Sequence, residues 1–333
     1  MRELHLTKNE ENQRLDKFLL KYMNKAPKSF IYQMLRKKRI KLNKAKAEGN
    51  EILKQDDVLQ FYLSDETLSS FMEEKTLVKA ERHFAILEED DHFLAVGKPA
   101  GLLTHPETAD SRDTLIDQVL YYLYEKGQYT PAKDAAFTPA LCNRLDRNTS
   151  GIVLVGKTLR GVQALNELIR EKKVDKFYYT VVKGHVEQAE ELTGFLSKDI
   201  SKNQVHIYND ADGVIDVKKV VTKYRPLAYN KEYDVSYLEI QLITGKSHQI
   251  RAHMQSIDHP VIGDRKYGDA EKNRMFLQEF ALSNQFLHGG KLKFHHGIEG
   301  QLPYLSGRTI TAPMPPVFQK MVDALFPAEE EME

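Results

Sequence analysis

Apolar residues in the first part of the chain recur at helical spacing and then begin to alternate. Leu15, Phe18, Leu19 and Tyr22 fall at i, i+3, i+4 and i+7, so residues 14 to about 23 read as an amphipathic helix. Pro27 and Ser29 interrupt it, and Ser29 can cap a second helix whose inward residues are Ile31, Met34 and Leu35. Ile40 and Leu42 next alternate with Lys41 and Asn43, a turn-rich AEGNE follows, and Val58 to Leu63 resumes as a strand. Residues 64–82 are polar without a clear period and read as a linker.

A larger domain is predicted over residues 83–326, with an acidic tail at 327–333. Phe84 to Leu87 and His92 to Val96 read as strands, and the loop from Lys98 to Gly101 cannot be helical at Pro99. Thr114 to Tyr124 has helical spacing, Ile152 to Val155 is an apolar strand, and Leu159 to Glu171 is an amphipathic helix. Further strands are expected at Lys176 to Val182, Lys218 to Tyr224 and Val235 to Ile243, with helices starting near Lys246 and over Val317 to Phe326. No repeat of fixed period is visible. Strand-rich runs with interspersed helices, rather than regular βαβ alternation, predict an α+β fold around a mixed, largely antiparallel sheet.

A chain of 333 residues has room for about two domains, each able to bury a core. The single Cys142 excludes a disulfide framework and any multi-cysteine zinc or iron–sulfur site, and it fits a reducing compartment. Apolar runs such as Gly151 to Val155 fall far short of the ~18 to 20 residues of a membrane helix, and the start lacks an apolar signal core. A cytoplasmic protein without membrane attachment is expected, with a monomer as the default.

Charge changes the picture more than composition does. The 48 basic and 48 acidic residues balance, yet Arg14 to Lys46 holds twelve Lys or Arg against Asp16 alone, a net charge of +11. Such asymmetry in a short module is the footprint of a polyanion partner, most often nucleic acid; a solvated face is the plainer alternative. Cations near a helix C-terminus suit the dipole, but the run Arg36, Lys37, Lys38, Arg39 exceeds that need. Together with Lys28 and Lys41, these are the candidate phosphate contacts.

For chemistry, Asp146 stands between Arg144 and Arg147 in a turn-forming segment that leads into a buried strand. Cations on either side favour a charged carboxylate able to act as nucleophile or base. Turn-forming Asp residues are common, so the case depends on other segments. In TGKSHQIRAHMQS, His248, Arg251 and Gln255 share one helix face, and Ile250, Met254 and Ile257 share the other. His248 and His253 lie about 500° apart around a helix, poorly aligned for chelation, so no metal is expected. Cys142 beside Asn143 offers a thiol nucleophile as a rival, although free Cys is more often a packed small hydrophobe.

The segments RLDKFL, SFIYQMLRKKRIKLN and LKQDDVLQF, within about residues 14–63, resemble the S4 RNA-binding domain, which meets structured RNA with its second helix and following loop. NRLDRNTSG, VDKFYYTVVKG, and TGKSHQIRAHM with HPVIGDRKYG resemble the RluA-type pseudouridine synthases over about residues 84–310. That resemblance implies an isomerase acting on RNA without cofactor or metal, with large-subunit ribosomal RNA first among substrates. A tRNA-directed enzyme and a non-catalytic RNA-binding or ribosome-associated protein are the alternatives. It makes Asp146 the catalytic Asp, Tyr178 the active-site tyrosine that stacks on uracil, and Arg251 the basic residue that pairs with Asp146. Leu287 matches an apolar residue beside the target base, and Asn143, Arg144 and Leu145 belong to the substrate-binding segment. Asn143 stands where the family usually has His, a departure that bears on RNA contact or base extrusion.

Overall fold

The computed structural model describes residues 1–7, 10–72, 77–108, 111–131, 137–199, 204–211, 213 and 217–327. The predicted acidic tail, apart from Pro327, and residues 73–76 of the predicted linker lie outside them.

The basic part of the chain comprises β1 (Arg2–His5), α1 (Leu15–Tyr22), α2 (Lys28–Arg36), β2 (Ile40–Leu42), β3 (Ala45–Lys46), β4 (Val58–Phe61) and α3 (Asp65–Ser70). Its antiparallel sheet runs β1-β4-β2-β3. Leu15, Phe18 and Leu19 of α1 and Ile31, Met34 and Leu35 of α2 bury together against Ile40, Leu59 and Phe61. Two expectations need correction. Helix α2 starts one residue before Ser29, which therefore sits inside its first turn and caps nothing. Pro27, with φ fixed at −59°, takes the N-cap position, and its carbonyl accepts from the Phe30 and Ile31 N–H groups. Within the polar stretch read as a linker, Ser64 caps α3 and Leu68 enters the same core. A helix of six residues is too short to display a period, which is why the pattern missed it.

The remainder is built from β5 (Ala85–Glu89), β6 (Phe93–Lys98), α4 (Leu115–Glu125), β7 (Ala140–Leu141), β8 (Ser150–Gly156), α5 (Leu159–Arg170), β9 (Val174–Lys183), β10 (Glu190–Asp199), β11 (Gln204–Tyr208), β12 (Lys218–Asn230), β13 (Val235–Leu242), α6 (Gln249–Ser256), α7 (Ala270–Phe280), β14 (Leu287–Phe294), β15 (Thr309–Thr311) and α8 (Pro316–Leu325). The strands form one sheet in the order β11-β10-β12-β13-β9-β14-β8-β6-β5, with β7 paired to β8 and β15 to β14. β8 and β14 run parallel and the other pairings described are antiparallel, which gives the α+β class with a mixed, largely antiparallel sheet. Every residue of β8 is buried. Its side chains alternate: Val153 and Val155 join Leu115, Val119 and Leu123 of α4 in one core. Ile152 and Leu154 join Ala164, Leu165 and Leu168 of α5 in another. Among the described residues no helix is long and apolar enough to cross a membrane.

The parallel pairing of β8 with β14 depends on glycine. Gly151 has φ +132°, and a Cβ there would lie 2.3 Å from the Gly289 carbonyl oxygen. Gly151→Ala should therefore cost about 2 kcal/mol, from strained backbone and from separating the two strands. A thermal melt reads the loss; an unchanged melting temperature would refute this account of the contact.

Candidate active site

A cleft of about 380 Å³ opens at the junction of β9, β14, the loop before β8 and the turn before α6. Asn143, Arg144, Leu145, Asp146, Tyr178, Arg251 and Leu287, all singled out from the sequence, line this one cleft.

The loop that carries Asp146 is held from several sides. Asn143 sets its amide against β8 like a strand partner: Nδ2 donates to the Ile152 carbonyl at 3.1 Å, and Oδ1 accepts from the Leu154 N–H at 2.7 Å. The Thr104 hydroxyl donates to the Leu145 carbonyl at 2.6 Å. Lys98, buried, donates from Nζ to the carbonyls of Pro99, Leu102 and Arg147 at 2.9, 2.7 and 3.0 Å. Burial pushes its ammonium down to about 7, against the opposing charge of Asp146. Arg147 turns away from Asp146 to donate to the Gly101 carbonyl at 3.1 Å.

The cation that meets Asp146 comes from far along the chain. Arg251 donates from Nη1 to Asp146 Oδ2 at 3.1 Å, and from Nε and Nη2 to the two oxygens of Asp264 at 2.6 and 2.9 Å. Neither sequence neighbour, Arg144 or Arg147, shows such a contact, which corrects the local explanation of the carboxylate's charge partner. Asp264 is 0% exposed, and its Oδ1 also accepts the N–H groups of Lys266 and Tyr267. Burial acts to raise the Asp264 carboxyl, but the hydrogen bonds and charge of Arg251 outweigh it and hold the group below the ordinary carboxylate range. The Arg251 guanidinium also lies over the Tyr267 ring, 5.0 Å from its centre. One arm of a buried, fixed arginine is thus presented to a partly open carboxylate.

Tyr178 supplies the flat wall of the cleft. Its ring lies against the backbone of β14 at Gly289, where a Cβ would come within 3.1 Å of it. Burial, and then the charge of Asp146, push its hydroxyl well above the ordinary phenol value, so it stays neutral. Leu145 and Leu287 add buried apolar surface. The next residue of β9, Tyr179, points to the other face of the strand and donates to Glu239 at 3.2 Å.

The turn before α6 departs from expectation. The helix begins at Gln249, and His248 precedes it in a left-handed conformation with φ 55°. Gln249 explains the delay: its buried amide accepts from the Lys246 N–H and donates to the Val221 carbonyl and Thr222 hydroxyl, fixing the chain short of the helix. Gln255 faces solvent, so of the predicted polar face His248 and Arg251 reach the cleft. Ile250, Met254 and Ile257 pack in the core, as their spacing implied. His253 is buried against Thr222 at 2.7 Å, and burial pushes its ring down to about 4. The Cys142 thiol is pushed up to about 12 by burial and points at the Ala140 carbonyl, which removes it as a thiolate nucleophile.

Sequence reasoning missed Lys98, Lys246, Asp264 and Tyr267. Asp264 stands in HPVIGDRKYG behind the buried apolar pair Val261 and Ile262, but no spacing in the sequence ties it to Arg251. In the N-terminal sheet unit, Lys28, Arg36, Lys37, Lys38 and Arg39 are exposed, and Lys41 lies over the Tyr62 ring at 5.0 Å. Among the described residues none of these six joins an ion pair.

The RNA pseudouridylate synthase family model matches residues 92–256. Ribosomal large subunit pseudouridine synthase C of Escherichia coli strain K12 is 30% identical over 306 residues, covering 89% of this chain and 89% of its own. Its counterpart in Pasteurella multocida strain Pm70 is 29% identical over 328 residues, 97% of this chain and 93% of its own. Among solved structures, human RNA Pseudouridylate Synthase Domain Containing 4 shares the fold with a TM-score of 0.55 at 20% identity, over 72% of this chain and 92% of that one. With motifs, fold and relatives in agreement, the chain belongs to the RluA-type RNA pseudouridine synthases, isomerases that convert uridine in RNA to pseudouridine.

Proposed function

We propose that Asp146 carries out the isomerisation, with Arg251 fixing its orientation and Tyr178 stacking on the uracil, on uridines of large-subunit ribosomal RNA. The contact that carries this reading is the 3.1 Å bond from Arg251 Nη1 to Asp146 in a cleft that Tyr178 also lines. Isomerisation breaks the N1–C1′ bond, turns the base and rejoins it through C5, with the C5 proton released. A carboxylate beside the ribose either attacks C1′ or removes the C2′ proton, and both routes need one ionised, well-aimed Asp. Because Asp264 already engages two arms of Arg251, the arginine holds its place while Asp146 changes bonding partners. Tyr178, Leu145 and Leu287 offer the freed uracil a dry surface to turn on. The nucleotide must leave its stack to enter, at a cost of a few kcal/mol that is least in loops and bulges.

Asn143 has both ends of its amide engaged by β8, which favours a scaffold role over contact with RNA. Leu145 and Leu287 form the base-facing apolar surface, and Arg144, exposed at the rim, is left for the RNA backbone.

The ribosomal target rests on the names of the relatives and on the basic N-terminal unit, which we read as an S4 RNA-binding domain acting in the cytoplasm. Pseudouridine mapped across ribosomal and transfer RNA, with and without the gene, tests it: loss at large-subunit positions supports the reading, and loss confined to tRNA refutes it. If Arg36, Lys37, Lys38, Arg39 and Lys41 contact phosphates, each contact releases about 0.7 to 0.9 counterion. Neutralising them together should weaken RNA binding and flatten its salt dependence, raising KM with kcat nearly unchanged. Unaltered KM on structured ribosomal RNA would reduce the basic run to a solvated face.

A further inference from the structure

His248 enters neither the sequence assignments nor the mechanism above, yet it lines the same cleft as Asp146. Its backbone is held in the left-handed region at φ 55°, between the Gln249-clamped turn and the first helical bond, from the Ala252 N–H to the His248 carbonyl at 2.9 Å. That backbone sets the Cα–Cβ direction, and the contact of Nδ1 with the Tyr267 hydroxyl at 2.9 Å sets the ring.

The ring's hydrogen bonding then assigns its proton. The Val205 N–H donates to the Tyr267 hydroxyl oxygen at 2.9 Å, and that hydroxyl lies 2.9 Å from His248 Nδ1. Among the described residues the Tyr267 hydroxyl hydrogen meets no acceptor other than Nδ1, so we assign it there. In the neutral ring this places the remaining proton on Nε2. Burial favours the neutral ring, opposed by the charge of Asp146. Nε2 meets no protein acceptor among the described residues and is not sealed from solvent. The result is a neutral N–H donor of set direction in the cleft.

Its surroundings name the acceptor. Arg144, Lys176, Lys246 and Arg251 line the cleft against the single carboxylate Asp146, so the cleft is built for an anion. Arg251 is committed to its two carboxylates, and the apolar surfaces suited to the base come from other elements than the Lys246–His248 turn. We propose that His248, aimed by Tyr267, is a substrate-contacting residue whose Nε2–H donates to a phosphodiester oxygen flanking the target uridine. The proposal rests on the reading of this cleft as the site of the uridine. It makes Tyr267 a positioning residue that acts through His248, and it couples strand β11, through Val205, to the grip on RNA.

The test uses the full chain and synthetic RNA hairpins carrying a uridine identified by the mapping above. The hairpins have native phosphates or a single methylphosphonate immediately 5′ or 3′ of that uridine. His248→Asn keeps a residue tolerant of the left-handed backbone and loses the Nε2 donor, whereas His248→Gln returns an amide N–H near that position. Affinity and kcat/KM are both read. At one of the two phosphates, wild-type enzyme should lose about tenfold or more on methylphosphonate substitution. His248→Asn should show the loss already on native RNA and little further loss on the modified one. His248→Gln should recover part of the coupling, and Tyr267→Phe should weaken it. Equal methylphosphonate penalties in wild type and His248→Asn at both positions would overturn the proposal. If His248→Asn fails to fold, Tyr267→Phe decides it: a methylphosphonate penalty equal to that of wild type at both positions would overturn the proposal. Since binding is read independently of turnover, failure here is distinguishable from failure of the Asp146 assignment, which shows as turnover by Asp146→Asn.

Discussion

Asp264→Ala is expected to lower the free energy of unfolding by about 3 to 5 kcal/mol and to abolish most activity with it. The substitution leaves the Arg251 guanidinium, only 7% exposed, without the carboxylate that takes two of its arms. It also strands the Lys266 and Tyr267 N–H groups. Urea unfolding reads the stability, and a change below about 1 kcal/mol would show that the buried pair is not what holds this corner. Replacing both partners with apolar residues, Arg251→Met with Asp264→Leu, should recover stability relative to Asp264→Ala while activity stays lost. The pH dependence has a definite sign. The folded Asp264 carboxyl lies below its unfolded value, so over that interval the unfolded chain binds more protons and stability rises with pH. The contribution is complete above the ordinary Asp range near pH ~4 and is lost as pH falls below it.

The helical and strand periods that were legible in the chain are those whose partners are local. The inward faces of α1, α2 and α5 follow from spacing alone, because each buries one face over two or more turns, and β8 follows from its continuous apolar run, which is buried on both sides. Strand β10 was not legible: its pattern is mostly exposed and its partners, β11 and β12, are decided by tertiary pairing. The delayed start of α6 was hidden for a similar reason. Gln249 caps the turn by reaching Val221 and Thr222 on β12, which no window around residue 246 reveals. At the site, motif likeness brought Asp146, Tyr178 and Arg251 to attention, and the structure gathers them in one cleft. The same likeness named Arg251 as the cation that meets the carboxylate, whereas adjacency in the chain pointed to Arg144 and Arg147. Arg144 and Arg147 are adjacent in sequence, whereas Arg251, 105 positions away, makes the contact. Asn143 is similar: its amide serves β8, a use that comparison with the usual His does not disclose.

Asp146→Asn is expected to lower turnover by about 10⁴-fold or more while leaving the fold and RNA affinity nearly intact. An amide is nearly the size of the carboxylate, so packing is kept, and it can neither attack C1′ nor accept the C2′ proton. Stability should change little because Arg251 keeps its paired bonds to Asp264, so no buried charge is left alone. Both steps open to the reaction fail together, which places the loss in kcat instead of KM. The decisive measurement is single-turnover tritium release from [5-³H]uridine RNA with wild-type and Asp146→Asn enzyme at saturating concentration. Release by the wild type with none above background from the variant is the predicted result; release by the variant at a substantial fraction of the wild-type rate would contradict the assignment of the chemistry to Asp146.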